Sequence, residues 1–342
     1  MEKHAYLIMA HENPGQLRRL LQLLDDERND LYVHIDKNAG FSPAILNDAV
    51  KKTALNVLEQ HPVYWADYSM VTVELLVIER ALKSGCHYRY LHLLSGMDLP
   101  IKTQDEIHRF FGDKTAEFLG IVPVESAYDL DHVRYSYPLL HTGAYRKHKA
   151  VRALSGVYVL LQRLVKRDLQ AERNDLRWRF YDGWNWFSIT EEFAAAVMAL
   201  SSQIEKVFQS AKAPDEMFLQ TVAYNSPFRE RIYDTSSLSP GSARLIDWNR
   251  GKPYVFRSAD FEELINSPCM FARKFDERVD AQIIERIFCR LSKEQEAAAG
   301  GAWKNYRGGL VPPRCAGPGE AWELKCLKGA ASTPQEGADG TE

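Results

Sequence analysis

The chain has 342 residues, 45% of them hydrophobic, and a formal net charge of -3. That length supports one large α/β domain or two small ones with a sizeable core, and the near-neutral charge argues against bulk nucleic-acid binding. Five cysteines (Cys86, Cys269, Cys289, Cys315, Cys326) are scattered without CxxC spacing; this argues against a disulfide framework or a zinc site and favours a reducing compartment.

Residues 5–10 form an apolar run, too short for a signal core or a membrane span, and read as a first core strand. His11-Glu12-Asn13-Pro14-Gly15 is loop chemistry, and leucines at 17, 20, 21, 23 and 24 predict a helix over 16–24. A second strand at 31–35 ends in Asp36; the strand–helix–strand spacing implies a parallel pair. A short third strand is expected at 56–58, a helix at 69–82, and a strand at 90–94 that ends in Ser95-Gly96-Met97-Asp98-Leu99-Pro100. Thr103 and Glu106 have capping-box spacing at the start of the next helix.

Two strands thus end in acidic loops, at Asp36 and Asp98. Ligands of open parallel sheets sit outside such strand ends, so residues 1–120 read as a nucleotide-binding half. Neither GxGxxG nor GxxxxGK[ST] occurs, which argues against a dinucleotide enzyme and a P-loop NTPase.

The polar, aromatic stretch 125–182 gives no definite element pattern. Residues 183–189 read as a dense aromatic strand, and Thr190 with Glu191 and Glu192 begins a helix at about 193–201. Ala213-Pro214-Asp215-Glu216 reads as the first turn of another helix, where proline lacks an N–H that would be unpaired anyway and acids meet the positive end of the dipole. Glu216 is then either an ordinary helix-start residue or a catalytic base presented at a cleft. From 297 to 342 the composition shifts to Ala, Gly and Pro and reads as a loose tail. The expected organisation is a single domain over 1–296, with 121–296 the acceptor and catalytic half.

These segments resemble the Core-2/I-branching β-1,6-N-acetylglucosaminyltransferase family, which includes the peptide O-xylosyltransferases and bacterial members. The matches, in family order, are Tyr6-Leu7-Ile8-Met9-Ala10-His11, Val33-His34-Ile35-Asp36-Lys37, Val63-Tyr64-Trp65-Ala66 with Ser69-Met70-Val71, Tyr90 through Lys102, Trp186-Phe187-Ser188-Ile189-Thr190, Ala213-Pro214-Asp215-Glu216 and Phe271-Ala272-Arg273-Lys274-Phe275. The resemblance implies an α/β fold of the GT-A type, a UDP-sugar donor, an inverting mechanism and no metal or other cofactor. The string Asp129-Leu130-Asp131 lies in the unmatched middle, away from any strand end where a metal motif is expected.

By this resemblance Glu216 is the base, ionised at neutral pH by its helix N-terminus, and Asp215 has a structural, capping role. Lys274, with Arg273 beside it, holds the donor diphosphate. A second basic residue is either Arg250 or Lys252, with Arg250 preferred for its fork. His11, Asp36, Trp65 and Ser69 are expected at the nucleotide, although Trp65 reads equally as a core residue. Asp98 serves the donor sugar or holds its loop. Trp184 and Trp186, on alternate positions of one strand, form either an acceptor platform or a buried pair.

The donor sugar implied is N-acetylglucosamine, with xylose the alternative; the acceptor is a glycan or lipid-linked glycan. Residues 145–167 are basic and amphipathic, and read as a membrane-surface contact or a helix packed on the core. The absence of an anchor and of many cysteines suggests a bacterial cytoplasmic member, free or at the inner face of the membrane, making surface polysaccharide. Competing readings are a non-catalytic glycan-binding protein and a metal-dependent hydrolase built on Asp36, Asp98 and His11.

Overall fold

β1 (Lys3–Ala10), α1 (Pro14–Leu23) and β2 (Asn29–Ile35) form the expected strand–helix–strand unit. The two strands pair in parallel, from His4 opposite Asn29 to Ala10 opposite Ile35. β2 is buried along its whole length, as a strand covered on both faces must be. β3 (Ala54–Val57) adds in parallel outside it. α2 occupies the expected Ser69–Leu82, and β4 (Tyr88–Ser95) pairs in parallel with β1 on its other side. β5 (Asp98–Pro100) then leaves the main sheet, and α3 (Gln104–Gly112) begins with both halves of the expected capping box. This computed structural model describes residues 2–124 and 127–298.

β6 (Phe118–Leu119) and β7 (Val122–Pro123) come next, and the stretch without a readable pattern contains α4 (Ala127–Arg134), α5 (Ala144–Lys147), α6 (Lys149–Leu164), α7 (Leu169–Arg173) and β8 (Tyr181–Asp182). β9 (Phe187–Ile189), α8 (Glu191–Ala199) and α9 (Ser201–Phe208) follow, then a 3-10 turn at Pro214–Glu216 and α10 (Phe218–Tyr224). The described part closes with α11 (Leu238–Gly241), β10 (Arg244–Ile246), α12 (Phe261–Asn266), β11 (Phe271–Arg273) and α13 (Glu277–Ala298), which is broken at Asp280.

The main sheet has six strands in the order β3-β2-β1-β4-β9-β6. β9 is antiparallel to both neighbours, so it alone runs against the other five. This is the expected α/β architecture with a mostly parallel central sheet. Alternation along β1 feeds two cores: Tyr6, Ile8 and Ala10 pack on the face covered by α1, α3 and α13, and Ala5 and Leu7 on the face covered by α2, α8 and α10. A small second sheet, β10-β11-β5, attaches the C-terminal third to the end of β4.

Two local expectations are corrected. Only Phe187–Ile189 of the predicted 183–189 strand is a strand. A Cβ on Gly183 would stand 1.9 Å from the Gly120 carbonyl oxygen, so two backbones cross there at a distance only glycine permits. The Pro-Asp-Glu triplet is not the first turn of an α-helix: it forms a 3-10 turn, Met217 (φ -127) interrupts the chain, and the helix begins at Phe218. The turn is docked from outside, because Ala213 N–H donates to the Ala66 carbonyl at 2.8 Å, with both residues left-handed.

The described residues fall in one compact unit, and the expected tail, 297–342, lies outside them from residue 299 onward. Among the described residues no helix is long and apolar enough to cross a membrane. Gly183→Ala is expected to destabilise the fold by about 1–3 kcal/mol through overpacking against Gly120. Urea unfolding measures this, and an unchanged midpoint would show that the two backbones do not approach.

Candidate active site

The ends of β1, β2 and β4 open on the same edge of the sheet. Gly96 lies close against Ala10, and the buried Gln16 amide donates to the Gly96 and Phe275 carbonyls, both at 3.1 Å. The loop after β4, the start of α1 and the segment after β11 are therefore stitched together. His11 lies here within electrostatic reach of Asp36, Arg273 and Lys274, and burial lowers its pKa. Asp36 holds its own loop: one carboxylate oxygen accepts from Asn38 N–H at 2.8 Å and Val63 N–H at 3.3 Å.

Asp98 also holds a loop. Its carboxylate accepts from Ser95 N–H at 2.7 Å and pairs with Arg273 at 2.6 Å. The Arg273 guanidinium lies over the Trp186 ring, 4.2 Å from its centre. Arg273 is thus committed to Asp98 and Trp186, whereas Lys274 forms no ion pair among the described residues. Burial first, then Arg273, lowers the Lys274 pKa. Arg250 corrects the preference drawn from sequence: its fork is taken up by Asp247, Asp260 and Glu263 and lies over the Tyr254 ring. Lys252 is exposed.

Glu216 is solvent-exposed while Asp215 beside it is buried, so the two point in different directions as expected. Their electrostatics differ from expectation. The surroundings of Glu216 displace enough water to push its pKa up to about 8, with Asp215 and then Asp182 adding repulsion. Burial, Asp182 and Asp67 also raise Asp215. One Asp215 oxygen has no hydrogen-bond partner, so it is not the capping residue foreseen. Behind it, the fully buried Glu74 of α2 is raised well above the usual carboxylate range by burial and by Asp215. The 3-10 turn gives Glu216 no extended helix dipole to offset this repulsion.

Two chains of contacts lead away from this acidic turn. One runs from Glu74 past Asn185 to Trp186 and Arg273. The other crosses the Ala213–Ala66 bond to Trp65, which is 56% exposed and lines a cavity of about 380 Å³ with Tyr145, Arg146 and Arg152. Arg146 lies within electrostatic reach of Lys274. Trp65 is therefore a cavity wall and not a core residue. Ser69 faces its own loop, accepting from Tyr64 N–H at 2.9 Å. Trp184 and Trp186 do not share a strand face: Trp184 lies beside Trp248, with ring centres 6.4 Å apart, and Trp186 lies under Arg273. The site thus presents an exposed carboxylate of high proton affinity and an unpaired ammonium group.

Residues 4–264 match the Core-2/I-branching enzyme family. The chain belongs to that family. Among similar proteins, Xylosyltransferase 2 from Canis lupus familiaris is 24% identical over 307 residues, covering 82% of this chain and 33% of the other. The Bos taurus beta-1,3-galactosyl-O-glycosyl-glycoprotein beta-1,6-N-acetylglucosaminyltransferase is 25% identical over 310 residues, covering 82% and 67%. The chain spans about a third of the length of the xylosyltransferases it matches. Mouse xyloside xylosyltransferase 1 in its apo form aligns in three dimensions with a TM-score of 0.34 at 10% identity, covering 80% of this chain and 97% of that one.

The residues this Core-2/I-branching member adds to those read from sequence are Asp182, Glu74, Arg146 and Trp248. Glu74 left a signal: it stands three residues after Val71 and four before Ile78, on the buried face of α2. The other three left none, because their roles arise from contacts across the chain. Among the described residues no three His, Cys, Asp or Glu side chains are grouped to hold a metal ion. The Asp131 of the Asp-X-Asp string sits on α4 and pairs with Arg163.

Carbon-13 NMR of the Glu216 carboxyl carbon is expected to show titration well above the ordinary carboxylate range. Asp215→Asn removes a like charge and should lower that midpoint. A Glu216 midpoint near 4 in the wild-type chain would contradict the repulsion described above.

Proposed function

We propose that this chain is an inverting glycosyltransferase. It moves a sugar from a UDP-sugar to a glycan hydroxyl in one displacement, with Glu216 as the base and Lys274 facing the departing diphosphate. The observation that carries this reading is the exposed carboxylate of raised proton affinity in the Pro-Asp-Glu turn; Lys274, which forms no ion pair among the described residues, supplies the cation. The acceptor oxygen forms its bond to the anomeric carbon as the bond to the diphosphate breaks, and the hydroxyl proton passes to Glu216. A carboxylate with a pKa near the working pH is a stronger base than an ordinary one. Negative charge develops on the leaving oxygen, where a fixed cation stabilises it.

In this reading Lys274 and Lys252 do the work of a metal, and Arg273 orients Trp186 and Asp98. His11 and Asp36 border the nucleotide, and Trp65 and Trp184 border the sugars. The donor we favour is UDP-N-acetylglucosamine, with UDP-xylose second; both sugars appear among the names of similar transferases. A UDP-release assay across UDP-sugars separates them. The proposed setting is cytoplasmic synthesis of a bacterial surface polysaccharide, on an acceptor free or carried by a lipid at the inner face of the membrane.

Glu216→Gln should lower turnover by roughly 10²–10⁴-fold while leaving UDP-sugar binding nearly intact. Because the base acts deprotonated, wild-type kcat/KM should rise with pH through the raised Glu216 midpoint, and Asp215→Asn should move that rise to lower pH. Near-normal turnover in Glu216→Gln would place the base elsewhere.

Lys274→Ala should weaken UDP binding in calorimetry and lower turnover, with no rescue by magnesium or manganese, and wild-type activity should survive excess EDTA. Activity lost in EDTA and restored by manganese would assign the electrostatic work to a metal.

A further inference from the structure

Helix α6 is built inside out. Its buried residues are polar: Ser155 is 3% exposed and Gln162 4%. The Gln162 amide is fully occupied inward, donating to the Ser136 carbonyl at 3.0 Å and accepting from Ser136 N–H at 2.9 Å. The large aliphatic residues point outward: Leu154 is 59% exposed, Val157 52%, Leu161 54% and Leu164 70%. Their i, i+3, i+7, i+10 spacing places them on one face, which Leu160 and Val165 widen. Burying such a face releases apolar surface from water, and among the described residues nothing covers it.

The charges on this segment select the partner. Between residues 144 and 167 there are seven lysines and arginines and no aspartate or glutamate. Lys147 and Lys149 stand at one end of the helix and Lys166 and Arg167 at the other. A second copy docked face to face would bring two such cationic segments together, and a nucleic acid would leave the leucines unburied. An anionic bilayer satisfies both features, since leucines enter the acyl boundary while flanking cations meet the headgroups.

We propose that α6 docks this protein on an anionic membrane surface, lying in its plane with Leu154, Val157, Leu161 and Leu164 inserted. The inference stands on the helix face and is independent of the chemistry proposed for the active site. The segment leading into α6 and the first turn of the helix also line the cavity beside Trp65, through Tyr145, Arg146 and Arg152. Docking would therefore bring a lipid-carried acceptor near that cavity.

Vesicle flotation of the full chain tests this, comparing phosphatidylcholine alone with phosphatidylcholine mixed with phosphatidylglycerol. Wild-type protein should float with the anionic vesicles and be released by salt. Leu161→Glu with Leu164→Glu should abolish flotation while preserving the circular dichroism spectrum and UDP binding. Lys166→Glu and Arg167→Glu should each cost at least about five-fold in partitioning. No flotation of the wild type, or equal flotation with both vesicle types, would overturn the proposal. So would a wild-type dimer in light scattering that the leucine variants convert to monomer, because it would assign the face to a second copy.

Discussion

The ion pair between Asp98 and Arg273 fixes where the rest of the site stands. It joins the loop after β4 to a segment 175 residues further along the chain. The pair is largely withdrawn from water, and each charge is offset by the other and, on Asp98, by the Ser95 N–H and hydroxyl. Its consequences are positional. Arg273 lies on Trp186 and turns that ring beside the cleft, and its position commits the next residue, Lys274, to the same edge as His11. The Asp98 carboxylate meanwhile stays bound to Ser95 N–H and Arg273. The acidic group at this strand end thus works as structure, and the cation next in sequence is left available to a ligand.

On the opposite side the logic is reversed, with like charges brought together. Asp215, Glu216, Asp182, Asp67 and Glu74 converge on one turn, and the nearby Lys212 offsets only part of their repulsion. Such grouping is costly to a fold unless protons are shared or a ligand is bound. Loss of water around Glu216, with repulsion from Asp215 and Asp182 added, gives it a proton affinity that an isolated surface glutamate lacks. A carboxylate of raised proton affinity and a cation free of ion pairs among the described residues are the two groups that the transfer chemistry proposed calls on, one for the acceptor proton and one for the charge leaving with the diphosphate.

Helix α6 shows how burial can invert composition. A hydrophobic pattern at helical spacing ordinarily marks the face turned toward the core. Here the fully buried positions are Ser155 and Gln162, with Val159 partly buried beside them, and Gln162 is needed to satisfy the Ser136 backbone. The aliphatic stripe is thereby left on the outside. The same segment carries Arg146 and Arg152, which line the cavity beside Trp65, so surface and cavity are parts of one element.

What the sequence determined by itself is local. The bounds of α2, the capping box at Thr103 and Glu106, the parallel pairing of β1 with β2 and the convergence of strand ends at His11, Asp36 and Asp98 all follow from periodicity, cap chemistry and connection length. These are properties of neighbouring residues. The family motifs were legible in the same way, as short strings in order. Only the tertiary structure decided the rest. The crossing of Gly183 with Gly120 shortened the aromatic strand and parted Trp184 from Trp186, and the docking of Ala213 on Ala66 turned the Pro-Asp-Glu triplet into a 3-10 turn. Three carboxylates drawn from other parts of its loop and helix engaged Arg250, and loss of water, with neighbouring Asp215 and then Asp182, raised Glu216 where a helix dipole was expected to lower it. The physical reason is common to all of these: backbone clashes, Coulomb forces and desolvation depend on distance in space, and sequence spacing reports that distance only within a few turns of the chain.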